Sequence, residues 1–130
     1  MHSLILTILL AAISNSAMAE WVKAGRDKSA TVYVDSSTVT ISKKSRITEM
    51  WHVLDYETVQ DSMGTKYLSA KVRMGYDCKK MKSRNLGLTW HSANMGAGDK
   101  VLSRSTFGEW RRPFPGSLEE TLLGIVCEQK

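Results

Sequence analysis

The stretch from Tyr67 to Cys78 constrains the fold of this chain most, because apolar and polar side chains alternate along it. One set of alternate positions is apolar and ends in a cysteine: Leu68, Ala70, Val72, Met74, Tyr76 and Cys78. The other set is mostly polar: Tyr67, Ser69, Lys71, Arg73, Gly75 and Asp77. Successive side chains of a strand point to opposite faces, so the pattern predicts a β-strand with one buried and one open face. Because Cys78 falls on the buried face, we expect its bonding partner in the layer that covers that face.

A C-terminal helix is predicted as that covering layer. The segment from Pro113 to Gly116 stops extended structure, and Ser117-Leu118-Glu119-Glu120 is a capping box. In this device the Ser117 side chain accepts from the Glu120 amide, while the Glu120 side chain reaches back to Ser117. At helical spacing one apolar arc forms and leads to a cysteine: Leu118, Leu122, Ile125, Val126 and then Cys127.

The first 19 residues have the features of a cleaved secretory signal peptide. Leu4–Ile13 is apolar apart from Thr7, and no Lys, Arg, Asp or Glu precedes Glu20. The run is too short to span a bilayer, which takes about 20 apolar residues. It ends in Ala17-Met18-Ala19, a small-x-small pattern that predicts cleavage between Ala19 and Glu20. The alternative is an N-terminal core helix or strand. No cysteine follows the cleavage point, so we expect no lipid anchor, and no other run predicts a transmembrane segment.

Export bears directly on the two cysteines, Cys78 and Cys127. In an oxidising compartment an even count predicts one disulfide, and only one pairing exists. Metal ligation and a redox pair are the alternatives. The sequence has no C-x-x-C and no histidine at ligand spacing, which speaks against both.

The remaining strand candidates are shorter and are separated by turn signals. They are Thr31–Val34, Thr38–Ile41, Ile47–Tyr56, Leu86–His91 and Lys100–Ser103. Ile47–Tyr56 has large apolar side chains on both parities, which predicts a central strand covered on both sides. Short connections favour antiparallel pairing. The predicted fold is therefore α+β: an antiparallel sheet of about six strands, with one C-terminal helix packed on it and tied to it by a disulfide.

Two clusters of basic residues carry much of the positive charge. The chain has 18 Lys and Arg against 13 Asp and Glu, all at or after Glu20, for a net charge of +5. The first cluster is Lys43, Lys44 and Arg46, and the second is Lys79, Lys80, Lys82 and Arg84, which Lys71 and Arg73 extend along the polar face of their strand. One interpretation is solvated loop charge. The other is a surface that binds an anionic glycan or protein. Nucleic acid does not fit an exported protein.

No catalytic or metal-binding motif is found in the sequence. Beyond the signal peptide the only histidines are His52 and His91. Asp55, His91 and a serine could be combined into a triad, but no spacing demands it. We expect His91 to be a strand residue, and Asp55 and Asp77 to hold turns. The four tryptophans, Trp21, Trp51, Trp90 and Trp110, are expected to pack in the core or on the sheet rather than to form a sugar platform. The sequence thus predicts a non-enzyme without metal or cofactor.

The chain resembles the surface-adhesin protein E family of Gram-negative bacteria over nearly all of residues 20–130. The first matching pieces are Trp21-Val22, Val32-Tyr33-Val34-Asp35-Ser36 followed by Val39, and Trp51 with Asp55-Tyr56. The others are Tyr76-Asp77-Cys78, Met95-Gly96-Ala97-Gly98 before Val101, and Trp110 with Pro115-Gly116-Ser117 leading to Cys127. The resemblance implies a sheet with a disulfide-tethered helix. It also implies an adhesin role for some members, which bind host matrix and serum glycoproteins. Anchored adhesins of this kind are commonly lipoproteins, and this sequence departs from them in lacking a lipidated cysteine.

Together these observations predict one exported domain, residues 20–130, after a signal peptide of residues 1–19. We expect it to bind a host or envelope glycoprotein or another polyanion, at the cell surface or in the periplasm. The alternative function is a periplasmic accessory protein or enzyme inhibitor. A second copy of the same chain is a further candidate partner, which would form a weak homodimer.

Overall fold

The computed structural model describes residues 20–27, 29–105 and 107–128, so the predicted signal peptide lies outside the described residues. Within them the chain forms one sheet of seven strands and one α-helix. The elements are β1 (Val22–Asp27), β2 (Ala30–Val34), β3 (Thr40–Ile41), β4 (Thr48–Ser62), β5 (Thr65–Asp77), β6 (Lys82–His91), β7 (Lys100–Arg104) and α1 (Leu118–Glu128). The predicted fold is confirmed. The sequence does not reveal β1, because this edge strand pairs only with β2 and its side chains show no clear alternation.

The sheet is antiparallel, with the strand order β1-β2-β4-β5-β6-β7 and with β3 paired to the start of β4. The central position of β4 follows from its composition. Met50 and Val53 lie on opposite faces of this strand, and both have an exposed fraction of 0%. The two-sided apolar pattern therefore correctly predicted a strand covered on both sides.

The helix α1 covers one face of the sheet and closes the main core. Leu122, Leu123 and Val126 from α1 cluster with Val32, Val34, Met50 and Tyr76 from the strands. Cys78 and Cys127 form the predicted disulfide, with a Cα–Cα distance of 5.5 Å. The bond thus joins the end of the alternating strand to the last turn of the helix.

The predicted capping box is correct in one of its two hydrogen bonds. The Ser117 hydroxyl accepts from the Glu120 amide at 3.2 Å. The Glu120 carboxylate, however, accepts from the Gly116 amide at 3.0 Å and not from Ser117. The reason is that the Ser117 amide already donates to the carbonyl of Phe114.

The face of the sheet opposite α1, called here the open face, is less polar and less exposed than the alternation of β5 suggested. Ser69 is fully buried under the short turn Asn94–Gly96, where its hydroxyl donates to the Ala93 carbonyl and accepts from the Gly96 amide. Gly75 lies under Leu86, whose Cδ1 would be 3.2 Å from a Cβ at Gly75. Lys71 and Arg73, which lie between these two positions, remain partly exposed.

Candidate binding site

The two basic clusters predicted separately lie at the same end of the sheet. Residues 42–47 connect β3 to β4, and residues 78–81 connect β5 to β6. Because β4 begins where β5 ends, with Thr48 paired to Tyr76, both turns project from this end. We call the group the basic end: Lys43, Lys44, Arg46, Lys79, Lys80 and Lys82. All of these side chains are exposed except that of Lys82, which is half-buried.

The backbone of the second turn is held independently of its lysine side chains. Oδ1 of Asp77 accepts from the backbone amides of Lys79 at 3.1 Å and of Lys80 at 3.0 Å. Asp77 therefore holds a turn, as the sequence predicted. Because these bonds use backbone groups, either lysine side chain can be replaced without removing them.

The two arginines predicted for the same surface interact with other parts of the protein. Arg73 forms a salt bridge with Glu49, with an N–O distance of 3.2 Å. The Arg84 guanidinium carbon lies 5.2 Å from the ring centre of Phe107 and 4.8 Å from that of Trp110, within cation–π range. Both arginines thus contribute to packing and pairing within the fold.

A second feature is a cleft of about 340 Å³, here called the open-face cleft. Six separate parts of the chain supply its lining: Trp21, Thr38, Trp51, Lys71, Thr89, His91 and Lys100. Thr38 ties one wall to the sheet, because its hydroxyl donates to the Asp35 carbonyl at 2.7 Å and accepts from the Trp51 amide at 3.2 Å. Of the basic residues predicted to bind, only Lys71 lies here.

The turn Asn94–Gly96 supports the other side of the cleft. Oδ1 of Asp55 accepts from the Met95 amide at 2.7 Å and from the Asn94 side chain at 3.0 Å, so Asp55 also holds a turn. Gly96 has a φ of +74°, and a Cβ there would lie 2.5 Å from Cε of Lys71. Glycine thus lets the turn approach the Lys71 side chain closely.

The lining of the cleft combines two cations with a neutral imidazole. Burial lowers the pKa of His91, and the nearby Lys71 and Lys100 lower it further. The ring is therefore neutral near pH 7. Its Nε2 is 2.8 Å from the Thr89 hydroxyl, while its buried Nδ1 has no hydrogen-bond partner within the described residues.

A serine-histidine-aspartate catalytic site is not formed on this face, although the strand register places Asp55, Ser69 and His91 side by side. Asp55 is paired with Ser69, and Ser69 with His91, across β4, β5 and β6. Each side chain is hydrogen-bonded elsewhere: Ser69 and Asp55 to the Asn94–Gly96 region, and His91 to Thr89.

In the part of the chain that the structure describes, no three His, Cys, Asp or Glu side chains could hold a metal ion. No helix there is long and apolar enough to cross a membrane.

The tryptophans differ in part from expectation, since none of the four belongs to the buried core. Trp90 packs on the sheet by stacking on Tyr67, with ring centres 4.1 Å apart. Trp110 contacts Arg84, and Trp21 and Trp51 line the cleft. Sequence reasoning missed the cleft because its residues are far apart in the chain and follow no common spacing.

Two of three comparisons with known proteins agree with this architecture. The family model of surface-adhesin protein E matches residues 21–128. No curated protein matches the sequence. A structure of Haemophilus influenzae protein E has a TM-score of 0.65 at 11% identity, and the match covers 84% of each chain. Protein E from non-typeable Haemophilus influenzae also gives 0.65 at 11%, covering 88% of this chain and 79% of that one. At such identities the solved structures show a shared fold.

Proposed function

The chain belongs to the surface-adhesin protein E family, and on that premise we propose that it is an exported, non-enzymatic domain that binds an anionic glycoprotein or glycan. Family membership supports an adhesin-like binding protein that acts at the cell surface or in the envelope. The proposal includes removal of residues 1–19 and a single working domain formed by residues 20–130. The ligand class is argued from the surface of this chain.

The observation that carries the proposal is the basic end. Two turns far apart in sequence both project basic side chains from one end of the sheet, and Lys79 and Lys80 are exposed. Neither lysine forms an ion pair with a described residue. A concentration of unpaired positive charge attracts a polyanion and increases its rate of association.

Heparin, a sulfated polyanion, provides the test. We expect the double variant Lys79→Ser with Lys80→Ser to elute from a heparin column at clearly lower salt than the unmodified domain. The variant has fewer contacts between exposed lysines and heparin sulfates, and salt screens such contacts. The melting temperature should be nearly unchanged, since exposed charges contribute about 0–1 kcal/mol to folding.

The matched control is Lys23→Ser with Lys66→Ser, which removes the same charge from exposed positions outside the basic end. Lys66 is beside the β4–β5 turn at the opposite end of the sheet. Elution of the control near the position of the unmodified domain supports a local site. An equal decrease for both pairs would mean that heparin responds only to net charge, and no decrease for the first pair would refute the basic end as the binding surface.

A further inference from the structure

The open-face cleft has the composition of a site for one charged sugar. We propose that it binds an anionic pyranose unit of a glycan, bearing a carboxylate or a sulfate. This inference rests on the proposed binding function and specifies which sugar unit of the glycan the domain recognises. It concerns a surface separate from the basic end, with Lys71 and Lys100 as its cations.

The size and the walls of the cleft fit a sugar ring. A volume of about 340 Å³ lies at the lower end of the range for ligand pockets, which suits about one or two rings. Trp21 and Trp51 are both half-buried and line the cleft. The face of an indole carries partial negative charge, which attracts the weakly positive C–H groups on the face of a pyranose.

The polar groups of the cleft favour an anion with neighbouring hydroxyls. Neither Lys71 nor Lys100 forms a salt bridge with a described residue, so both ammonium groups can pair with a carboxylate or sulfate. His91 is neutral because its pKa is lowered, and the Thr89 hydroxyl beside it supplies a hydrogen-bonding group without further charge. An acidic peptide would use the cations but has no need of two indole walls.

Short oligosaccharides test the cleft separately from the long polyanion that tests the basic end. The probes are trigalacturonic acid, sulfated maltotriose, neutral maltotriose and triglutamate, with affinity measured by calorimetry and tryptophan fluorescence. We expect at least one anionic trisaccharide to bind at least tenfold more tightly than maltotriose. Which of the two binds distinguishes carboxylate from sulfate. Trp21→Ala and Lys100→Gln should each weaken that binding about tenfold or more.

Two controls separate this proposal from the proposed function. Lys66→Gln, and Lys79→Ser with Lys80→Ser, should leave trisaccharide affinity unchanged. If heparin binds as expected but neither anionic trisaccharide binds, only the cleft proposal fails, and if neither heparin nor trisaccharide binds, both fail. The cleft proposal also fails if binding survives both cleft substitutions, or if triglutamate alone binds and shows the same sensitivity to them.

An independent observation concerns the N-terminus left by signal cleavage. The backbone nitrogen of Glu20 is 3.2 Å from Oδ2 of Asp35, a carboxylate only 2% exposed. Its other oxygen, Oδ1, already accepts from the Ser37 amide and hydroxyl. In the uncleaved chain the Glu20 nitrogen is a peptide amide, which provides one ordinary hydrogen bond.

We infer that cleavage after Ala19 converts this contact into an ion pair that anchors the mature N-terminus. Signal peptidase adds water across the Ala19–Glu20 bond, so that Ala19 keeps a carboxylate and Glu20 gains a free amine. An α-amino group is mostly protonated at pH 7 and bonds more strongly to a carboxylate than an amide does. The adjacent Trp21 would thereby be fixed in its position beside the cleft.

The test compares domains that begin at Glu20 or carry one additional alanine, each with Asp35 or with Asp35→Asn. We expect the extension and the substitution each to lower the urea midpoint, and the two together to lower it little further, because both remove the same pair. Fully additive losses, or an extension without effect, would overturn the inference. The extended domain with Asp35 intact remains informative even if Asp35→Asn fails to fold.

Discussion

The buried imidazole of His52 makes the stability of this domain depend on pH in a defined direction. The side chain is 3% exposed, and its Nε2 is hydrogen-bonded to the Tyr76 hydroxyl in the core beneath α1. Burial lowers the pKa of His52 from 6.5 to about 4. In the unfolded chain the ring takes up a proton near pH 6.5, whereas in the folded domain it stays neutral until about pH 4. The free energy of unfolding therefore falls as the pH is lowered through this window.

The magnitude follows from the difference between the two pKa values. One pKa unit corresponds to about 1.4 kcal/mol, so this group costs about 2 kcal/mol at pH 5 and about 3 kcal/mol by pH 4. That is a large part of the 5–15 kcal/mol typical of a domain. His91 acts in the same direction, because its pKa is also lowered.

The assay is urea unfolding at pH 7, 6 and 5 for the unmodified domain, for His52→Gln, and for His91→Gln, which measures the contribution of His91 separately. Glutamine does not titrate, and its amide can still pair with the Tyr76 hydroxyl. We expect His52→Gln to lose about 2 kcal/mol less than the unmodified domain between pH 7 and pH 5, whatever its stability at pH 7. If it loses as much as the unmodified domain, the pH dependence does not come from His52 and the reasoning is refuted.

Two further predictions concern the supports of the fold. Cys127→Ser opens a loop with a sequence separation of 49 residues, so chain entropy predicts a loss of about 4 kcal/mol. Urea unfolding measures this loss, and an unchanged midpoint would contradict a stabilising disulfide. Asp55→Ala removes the acceptor of the Met95 amide and should cost about 1–3 kcal/mol, with faster hydrogen exchange at Met95. Asp55→Asn, which keeps an acceptor oxygen, is the matched control, and equal exchange in both variants would show that the bond does not hold the turn.

The layered architecture was predictable because its signals are periodic and local. The alternation of β5, the two-sided apolar pattern of β4 and the apolar arc of α1 each determine which face is buried, and the two cysteines then join helix to sheet. β1 was not predictable in this way, because an edge strand with one neighbour needs little apolar patterning. The partner of Glu120 also escaped prediction, since it depends on a bond between Ser117 and Phe114 that the capping pattern does not encode.

The candidate site was predictable only where it consisted of neighbours in sequence. The basic clusters were visible as runs of charge, but their presence at one end of the sheet depends on the pairing of Thr48 with Tyr76. Arg73 was expected on the binding surface, and its salt bridge with Glu49 is a cross-strand relationship that the sequence of either strand alone does not show. The cleft depends on the register of four strands together, and no local pattern specifies it.

The structure places the main supports of stability and the candidate binding surfaces in different regions. The disulfide, the apolar core under α1 and His52 all belong to the helix-covered face. The cleft opens on the opposite face, and the basic end is formed by turns. Because side chains in these exposed regions contribute little to folding, they can change while the fold is retained. A TM-score of 0.65 at 11% identity is consistent with such freedom. The ligand of this chain therefore has to be established on its own surface, with its own cleft and basic-end variants, and cannot be transferred from a relative that shares the fold.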